Sequence, residues 1–438
     1  MAIPMTIAIG RKQAALAEEA AGTRAASLSR AGAESHRIRV LTITTLYPNA
    51  AQPSHGIFVE NRIRHLVGTG IVDLQVIAPV PWFPLSNAVF GRYAHYSRAP
   101  RAEERYGIPI RHPRFLAIPK VGMMAAPLLL RAALLRDVRV LMRARGTFDV
   151  IDAHYFYPDG VAAAWLGRRL GIPVAITARG TDLNYLAPRY PFVRQMIRRA
   201  AEGADGLIAV CEALKDVLTD LGIPGSRVQV LRNGVDLQLF RPLDRTEVRQ
   251  DLGLSGPTLL SVGHLIPRKG HDIVIGALEH LPGVDLLIAG EGPERRRLEM
   301  LARTLCVADR VRFLGHVPHE DLARFYSAAD ALILASSREG WANVLLEAMA
   351  CSTPVVASDV WGTPEVVSAP AAGILVRERT PAAFSNAIRR LFADPPPRSA
   401  TRSHAETFSW DATTQGQLDL FRAIIARRRD VYAFVPLP

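Results

Sequence analysis

Short apolar runs alternate with amphipathic stretches along this chain, and they do so in two separate series. That alternation restricts the fold more than any other feature. The first series starts at Ile38-Arg-Val-Leu-Thr-Ile-Thr44. It continues through Val72 to Ala78, Asp149 to Ala153, Val174 to Thr177 and Gly206 to Val210. Asn233-Gly234 is a turn signal near its end. The second series starts at Thr258-Leu-Leu-Ser-Val-Gly263 and runs through Asp285 to Ala289, Val311 to Leu314, Ala331 to Ala335 and Pro354 to Ala357. β-rich runs this short, separated by helical patterns, imply parallel sheets covered by helices on both faces. The expected fold class is α/β, with two doubly wound, Rossmann-like domains at 38–240 and 241–405. Residues 406–438 are expected to be mainly a C-terminal helix. Residues 1–37, rich in Ala, Ser, Gly and Arg, are expected to be a disordered extension. A chain of 438 residues, 49% of them hydrophobic, suits two full cores, and no short repeat points to a solenoid.

Charge and cysteine content narrow the function classes. The formal net charge is +12, but only Lys12, Lys120, Lys215 and Lys269 are lysines and the other basic residues are arginine. Such a bias fits a G+C-rich genome. No basic block interleaved with aromatics is present, so nucleic acid is not an expected partner. The excess suits an anionic membrane surface or an anionic substrate. Cys211, Cys306 and Cys351 lack metal-type spacing and read as small core residues in a reducing cytoplasm. No apolar run reaches the roughly 18 residues of a membrane span, and the head of the chain lacks the apolar core of a signal peptide. The stretch 119–145, rich in Leu, Met and Ala with periodic Arg, suits either an interfacial helix on anionic lipid or a core-facing helix.

In open parallel sheets, ligands bind beyond the carboxyl ends of the strands, and the informative residues follow strands here. Gly263 ends one, where a glycine lets backbone approach a phosphate closely. Arg268 and Lys269 follow, a planar fork and a compact charge suited to a diphosphate. Gly290-Glu-Gly-Pro293 reads as a tight strand-to-helix turn, not a dinucleotide fingerprint, because Arg295 stands where a third glycine would be. After the run 331–335 come Glu339 and Gly340. Asn343 is then a candidate helix cap, with Val344, Leu345 and Glu347 in the first turns. Amides at that helix start would face a phosphate. Glu347 would accept from ribose hydroxyls and Glu339 from donor-sugar hydroxyls. In the first half, His154 ends a strand and would reach a cleft. Asp159, Arg179-Gly-Thr-Asp182 and Gly56 are sugar, acceptor or phosphate candidates, each also readable as an ordinary turn.

Together these pieces resemble the family 4 retaining glycosyltransferases of GT-B fold, from about residue 38 to 425. The likeness rests on His154 with Tyr157-Pro-Asp-Gly160, Arg179-Gly-Thr-Asp182, Asn233-Gly-Val-Asp236, Arg268-Lys-Gly270 and the Glu339/Glu347 pair, all in order. It is nearest to bacterial enzymes that build capsular, exopolysaccharide or lipopolysaccharide glycans. The resemblance implies a nucleotide-sugar donor bound by Gly56, Gly263, Arg268, Lys269, Val317, Asn343, Val344, Leu345 and Glu347. It implies retention of anomeric configuration, no cofactor and no essential metal; the sequence also lacks an Asp-x-Asp motif. It implies a tail that crosses back onto the first domain, and a glycan or lipid-linked acceptor met by first-domain loops at 47–60 and 81–125. The expected location is the cytoplasm, with attachment to the inner face of the plasma membrane as a further expectation. Ser352 departs from the family pattern, which has glycine there, and His264 stands where arginine is common.

The expected chemistry follows from charge. Departure of the diphosphate builds negative charge that Arg268, Lys269 and the 343–347 helix start would stabilise. The anomeric carbon becomes oxocarbenium-like. By resemblance, attack comes from the front face, and His154 positions the sugar. Two other readings use the same fold. A silent GT-B scaffold would bind donor without transfer. A sugar epimerase or phosphorylase of GT-B type would, as a phosphorylase, release free sugar phosphate.

Overall fold

A computed structural model describes residues 37–82, 98–116 and 122–433. The extension expected over 1–37 therefore lies, except for Arg37, outside the described residues. Eight strands form the first sheet: β1 (Ile38–Ile43), β2 (Val72–Ile77), β4 (Ala102–Arg105), β5 (Ile108–Arg111), β7 (Val150–His154), β8 (Val174–Ala178), β9 (Gly206–Ala209) and β10 (Val228–Val230). Their order is β10-β9-β8-β7-β1-β2-β5-β4. All neighbours run parallel except β4, which pairs antiparallel with β5. A two-stranded sheet, β3 (Val80–Trp82) with β6 (Arg114–Leu116), lies beside it. The second sheet holds β11 (Thr258–Val262), β12 (Asp285–Ala289), β13 (Val311–Gly315), β14 (Ala331–Leu334), β15 (Val355–Ser358) and β16 (Gly373–Val376), in the order β13-β12-β11-β14-β15-β16. Every described pair in it is parallel.

Central strands such as β7, β8, β11 and β14 are buried on both faces, which is why they read as unbroken apolar runs. On one face of the first sheet, Leu41, Ile151 and Ile176 pack with Leu166 and Ile197. On the other, Val40 and Ile208 pack with Val59 and Ile63, and with Leu418, Leu420, Phe421 and Ile424. Those last four residues belong to the helix Trp410–Ala433, so the tail lies on the first domain. Each such Leu or Phe removed from water contributes about 1.5–3 kcal/mol.

Two expectations change, and one left open is decided. Cys211 and Cys351 are buried, but Cys306 is exposed, because its positive φ of 54° places it on a turn rather than in the core. Of the segment 81–125, read as loops, residues 83–97 and 117–121 lie outside the described residues, and the rest carries β4, β5 and β6, short strands whose alternation is too brief to stand out. The helix within 119–145 spans Ala126–Arg145 and is core-facing along Pro127, Leu130, Leu134, Val138 and Leu141, while Met124, just before it, and Leu128 and Val140 on its outer face stay exposed.

Candidate active site

The donor-domain half of the site is built at the ends of β11 and β14. After β14, Ser336 and Glu339 turn back toward the short turn Pro267–Lys269 that follows β11. Glu339 Oε1 accepts from Lys269 Nζ at 2.6 Å and from Ser336 Oγ at 2.7 Å, and Oε2 accepts from Arg268 Nη1 at 3.3 Å. Its carboxylate is buried, and burial alone would raise its pKa. Lys269 and Arg268 overcome that effect and hold it below the usual range. The expected sugar-holding acid and diphosphate-holding cations are therefore one cluster.

Glu347 lies on the helix Asn343–Ala350. Its Oε2 accepts from Tyr326 Oη at 2.8 Å, and its Oε1 lies 3.1 Å from His319 Nε2. Burial pulls the His319 pKa down, but the hydrogen bond and charge of Glu347 more than offset this and leave it raised. Asn343 does not cap this helix. It is the first helical residue, the capping position is Ala342 without a side-chain bond, and Asn343 Oδ1 instead accepts from Asn233 Nδ2 at 3.3 Å. Leu345 is also displaced from its expected role. Its side chain is in the core and its N–H goes to Ala342 O at 3.0 Å. The Asn343 amide is taken by Trp341 O at 3.2 Å, which leaves the Val344 N–H for a ligand.

Between the domains lies a cavity of about 900 Å³ whose walls include Gly56, Gly263, His264, Arg268, Val317 and His319. A smaller one of about 190 Å³, sharing His319, brings in Asn343, Val344 and Glu347. Gly56 is forced to be glycine, since its φ is 76° and a Cβ would lie 2.4 Å from the Leu46 carbonyl.

The first-domain half is a buried polar chain. His154 ends β7 and is fully enclosed. Its Nδ1 accepts from Arg179 Nη2 at 2.7 Å, and its Nε2 is 3.0 Å from Asp152 Oδ2. Burial, with Arg179 adding to it, lowers its pKa to about 4 against the pull of Asp152, so the ring is neutral at pH 7. Gln417 Nε2, from the C-terminal helix, donates to Asp152 at 3.0 Å, and Arg62 Nε donates to Gln417 at 2.7 Å. Arg179 Nη1 donates to Asn233 at 3.1 Å, which carries the chain to Asn343 in the other domain. His154 thus lies behind Arg179 and not on the wall of these cavities.

Asp159 and Asp182 also face inward. Asp159 Oδ2 accepts from the Thr45 amide at 3.1 Å and hydroxyl at 2.8 Å. Asp182 accepts from the amides of Phe156 at 2.7 Å and Gly180 at 2.8 Å. Both are fully buried, and both hold loops where an acceptor contact was expected. Desolvation raises the Asp159 pKa to about 7; the Thr45 bonds lower it and the charge of Asp182 raises it.

The two halves touch at glycines. A Cβ on Gly340 would lie 2.1 Å from Arg179 O, and one on Gly180 would lie 3.0 Å from Gly340 Cα. Sequence reading did not find Ser336, His319 or Tyr326. Ser336, three residues before Glu339 at a strand end, had a local signal; the other two come from a different element and had none.

Residues 244–408 match the family described as Glycosyl transferases group 1, and residues 57–239 match the one described as Glycosyltransferase Family 4. The chain belongs to the family 4 glycosyltransferases. It is 31% identical over 435 residues to D-inositol 3-phosphate glycosyltransferase 1 of Catenulispora acidiphila, covering 91% of this chain and 98% of that one. It is 34% identical over 381 residues to the D-inositol 3-phosphate glycosyltransferase of Actinosynnema mirum, covering 79% and 89%. Among solved structures, sucrose-phosphate synthase of Thermosynechococcus elongatus superposes with a TM-score of 0.74 at 24% identity, over 89% of this chain and all (100%) of that one. Anabaena HepE in complex with UDP gives 0.67 at 20% identity, over 88% and 100%. At these identities the structural likeness establishes the GT-B fold. The protein is a glycosyltransferase that uses a nucleotide-sugar donor.

Proposed function

We propose that this glycosyltransferase moves a sugar, with retention at the anomeric carbon and without a resident metal ion, onto a glycan or lipid-linked acceptor in bacterial surface polysaccharide synthesis. The observation that carries the reading is the Glu339–Lys269–Arg268 cluster beside the interdomain cavity. Arg268 and Lys269 supply two positive charges where a diphosphate leaves, in a site preorganised by Glu339 and Ser336. They do for the leaving group what a divalent ion does elsewhere. The Val344 amide at the helix start adds a donor, and Glu347, aimed by Tyr326 and His319, takes the ribose. Asp159 and Asp182 are turned inward and Glu339 is fully engaged, so none of these three carboxylates is poised as a nucleophile. This favours front-face attack, with a donor phosphate oxygen taking the acceptor proton. His154 acts through Arg179 as a positioning residue.

A second reading of the acceptor, a small phosphorylated polyol, is favoured by the names of the full-length relatives. No helix among the described residues is long and apolar enough to cross a membrane. The outer face of Ala126–Arg145 nevertheless suits an anionic lipid surface. Its exposed Leu128 and Val140, with Met124 just before the helix, lie among Arg131, Arg136, Arg139 and Arg143. This supports a place on the inner face of the plasma membrane. The test of the donor reading is a panel of UDP-, GDP- and ADP-sugars scored by thermal shift and nucleoside diphosphate release. Stabilisation and slow release by one base series are expected; no response to any member contradicts the reading.

A further inference from the structure

A third cavity, of about 150 Å³, lies where the loop after β8 meets the loop after β14. Its walls include Arg179, Asn184, Arg338 and Trp341, together with Arg268 and Glu339 of the cluster described above. Four polar atoms of these residues are buried and have no hydrogen-bond partner: Arg179 Nε, Arg338 Nε, Trp341 Nε1 and Asn184 Oδ1. Buried polar groups are almost always paired, and each orphan costs about 1–3 kcal/mol. These four, three of them donors, belong to residues that line one small space, which suits a ligand rich in acceptor oxygens.

Charge makes the requirement narrower. Arg179 is 8% exposed, and neither it nor Arg338 forms a side-chain ion pair among the described residues. The neighbouring carboxylates are already committed: Glu339 to Lys269 and Arg268, and Asp182 to the amides of Phe156 and Gly180. Arg338 is held in place before any ligand arrives. Its carbonyl accepts from Arg268 Nη1 at 2.9 Å, and its guanidinium stacks 4.2 Å above the Tyr185 ring. Trp341 is braced by Phe408, 6.0 Å away between ring centroids. Sugar hydroxyls would satisfy the donors but leave Arg338 without an ion-pair partner, while Arg179 has only the more distant charges of Asp152 and Asp182. A carboxylate or phosphate satisfies both, through the charge-assisted bonds that a guanidinium fork favours.

We propose that this cavity binds an anionic group, a carboxylate or phosphate, carried on the ring of one of the two substrates. The proposal rests on the transferase reading above, because it takes the cavity to open on the transfer cleft. Arg338 sets this specificity by pairing with the anion. The donor sugar and the acceptor are the two sources of such a group, and they separate experimentally.

Isothermal titration calorimetry of the full-length enzyme provides the test. One arm compares UDP-glucuronate with UDP-glucose. The other compares glucuronate and glucose 6-phosphate with glucose, with and without UDP. A charge-assisted pair worth 1.5–3 kcal/mol corresponds to a preference of roughly 10- to 100-fold for the charged member. A preference in the first arm places the anion on the donor, and one in the second arm places it on the acceptor. Arg338→Gln should reduce the preference to within about threefold, and Arg338→Lys should restore part of it. Thermal unfolding of both variants checks that they remain folded. Absence of preference in both arms, or a preference that Arg338→Gln leaves intact, overturns the proposal. The free-sugar arm needs no nucleotide, so its result holds even if UDP fails to bind, an outcome that counts against the donor reading instead.

Discussion

Lys269→Ala separates what the Glu339 cluster does for stability from what it does for transfer. The substitution removes the 2.6 Å bond to Glu339 but leaves that carboxylate with Ser336 at 2.7 Å and Arg268 at 3.3 Å. The remaining acid is still paired, so the loss of folding stability should be about 1–2 kcal/mol. The effect on turnover should be larger. Removing one preorganised group that meets developing charge costs about 2.7–4 kcal/mol of transition-state stabilisation, or roughly 10²–10³ in kcat. Glu339→Ala has the opposite balance for stability. It leaves Lys269 and Arg268 facing one another, with side chains 14% and 26% exposed. Breaking a buried pair costs about 3–5 kcal/mol, and the partial exposure of Arg268 places this case near 3. Steady-state kinetics with the donor found by the panel, beside urea unfolding of both variants, measures the two effects. A Lys269→Ala enzyme with kcat within about threefold of the parent would refute the charge argument. So would a Glu339→Ala variant no less stable than Lys269→Ala.

Three further outcomes follow from other parts of the structure. Ser352 has a φ of 64°, a conformation that disfavours side chains; Ser352→Gly should stabilise the enzyme by about 0.5–1 kcal/mol, and an unchanged or lower Tm would contradict this. Asp159, with its pKa raised by burial to about 7, holds its proton more tightly folded than unfolded. Its contribution to stability is fully present below about pH 4 and is lost as pH rises to about 7, amounting to a few kcal/mol. Asp159→Asn should therefore gain stability relative to the parent across that window and stay level above it; a difference independent of pH, read by urea unfolding, rules this out. Finally, the enzyme should float with anionic vesicles and not with neutral ones, and Leu128→Glu should weaken flotation at least severalfold. Equal flotation of parent and variant would remove the helix Ala126–Arg145 from the contact.

The parallel sheets were legible because strands buried on both faces leave unbroken apolar runs, as at Thr258–Val262 and Ala331–Leu334. The positions of Gly263, Lys269 and Glu339 beyond strand ends were legible for the same reason. What local pattern does not carry is which way a polar side chain turns. Asp159 and Asp182 read as cleft acids, yet distant amides at Thr45 and Phe156 draw them inward. Asn343 read as a cap, yet Asn233, 110 positions away, takes its side chain. His154 read as a cleft residue because nothing nearby shows that Arg179 covers it, or that Gln417 reaches Asp152 from the tail. Such partners are set by the fold as a whole.

In the proposed reaction the interdomain site breaks a sugar–diphosphate bond and rebuilds the glycosidic bond on the same face. Following the anomeric proton by NMR during turnover of an α-linked nucleotide sugar tests it most directly. The expected result is release of nucleoside diphosphate with an α-anomeric product formed first, and loss of both in Lys269→Ala. A β-anomeric first product, or release of a sugar phosphate in place of a transferred sugar, would contradict it.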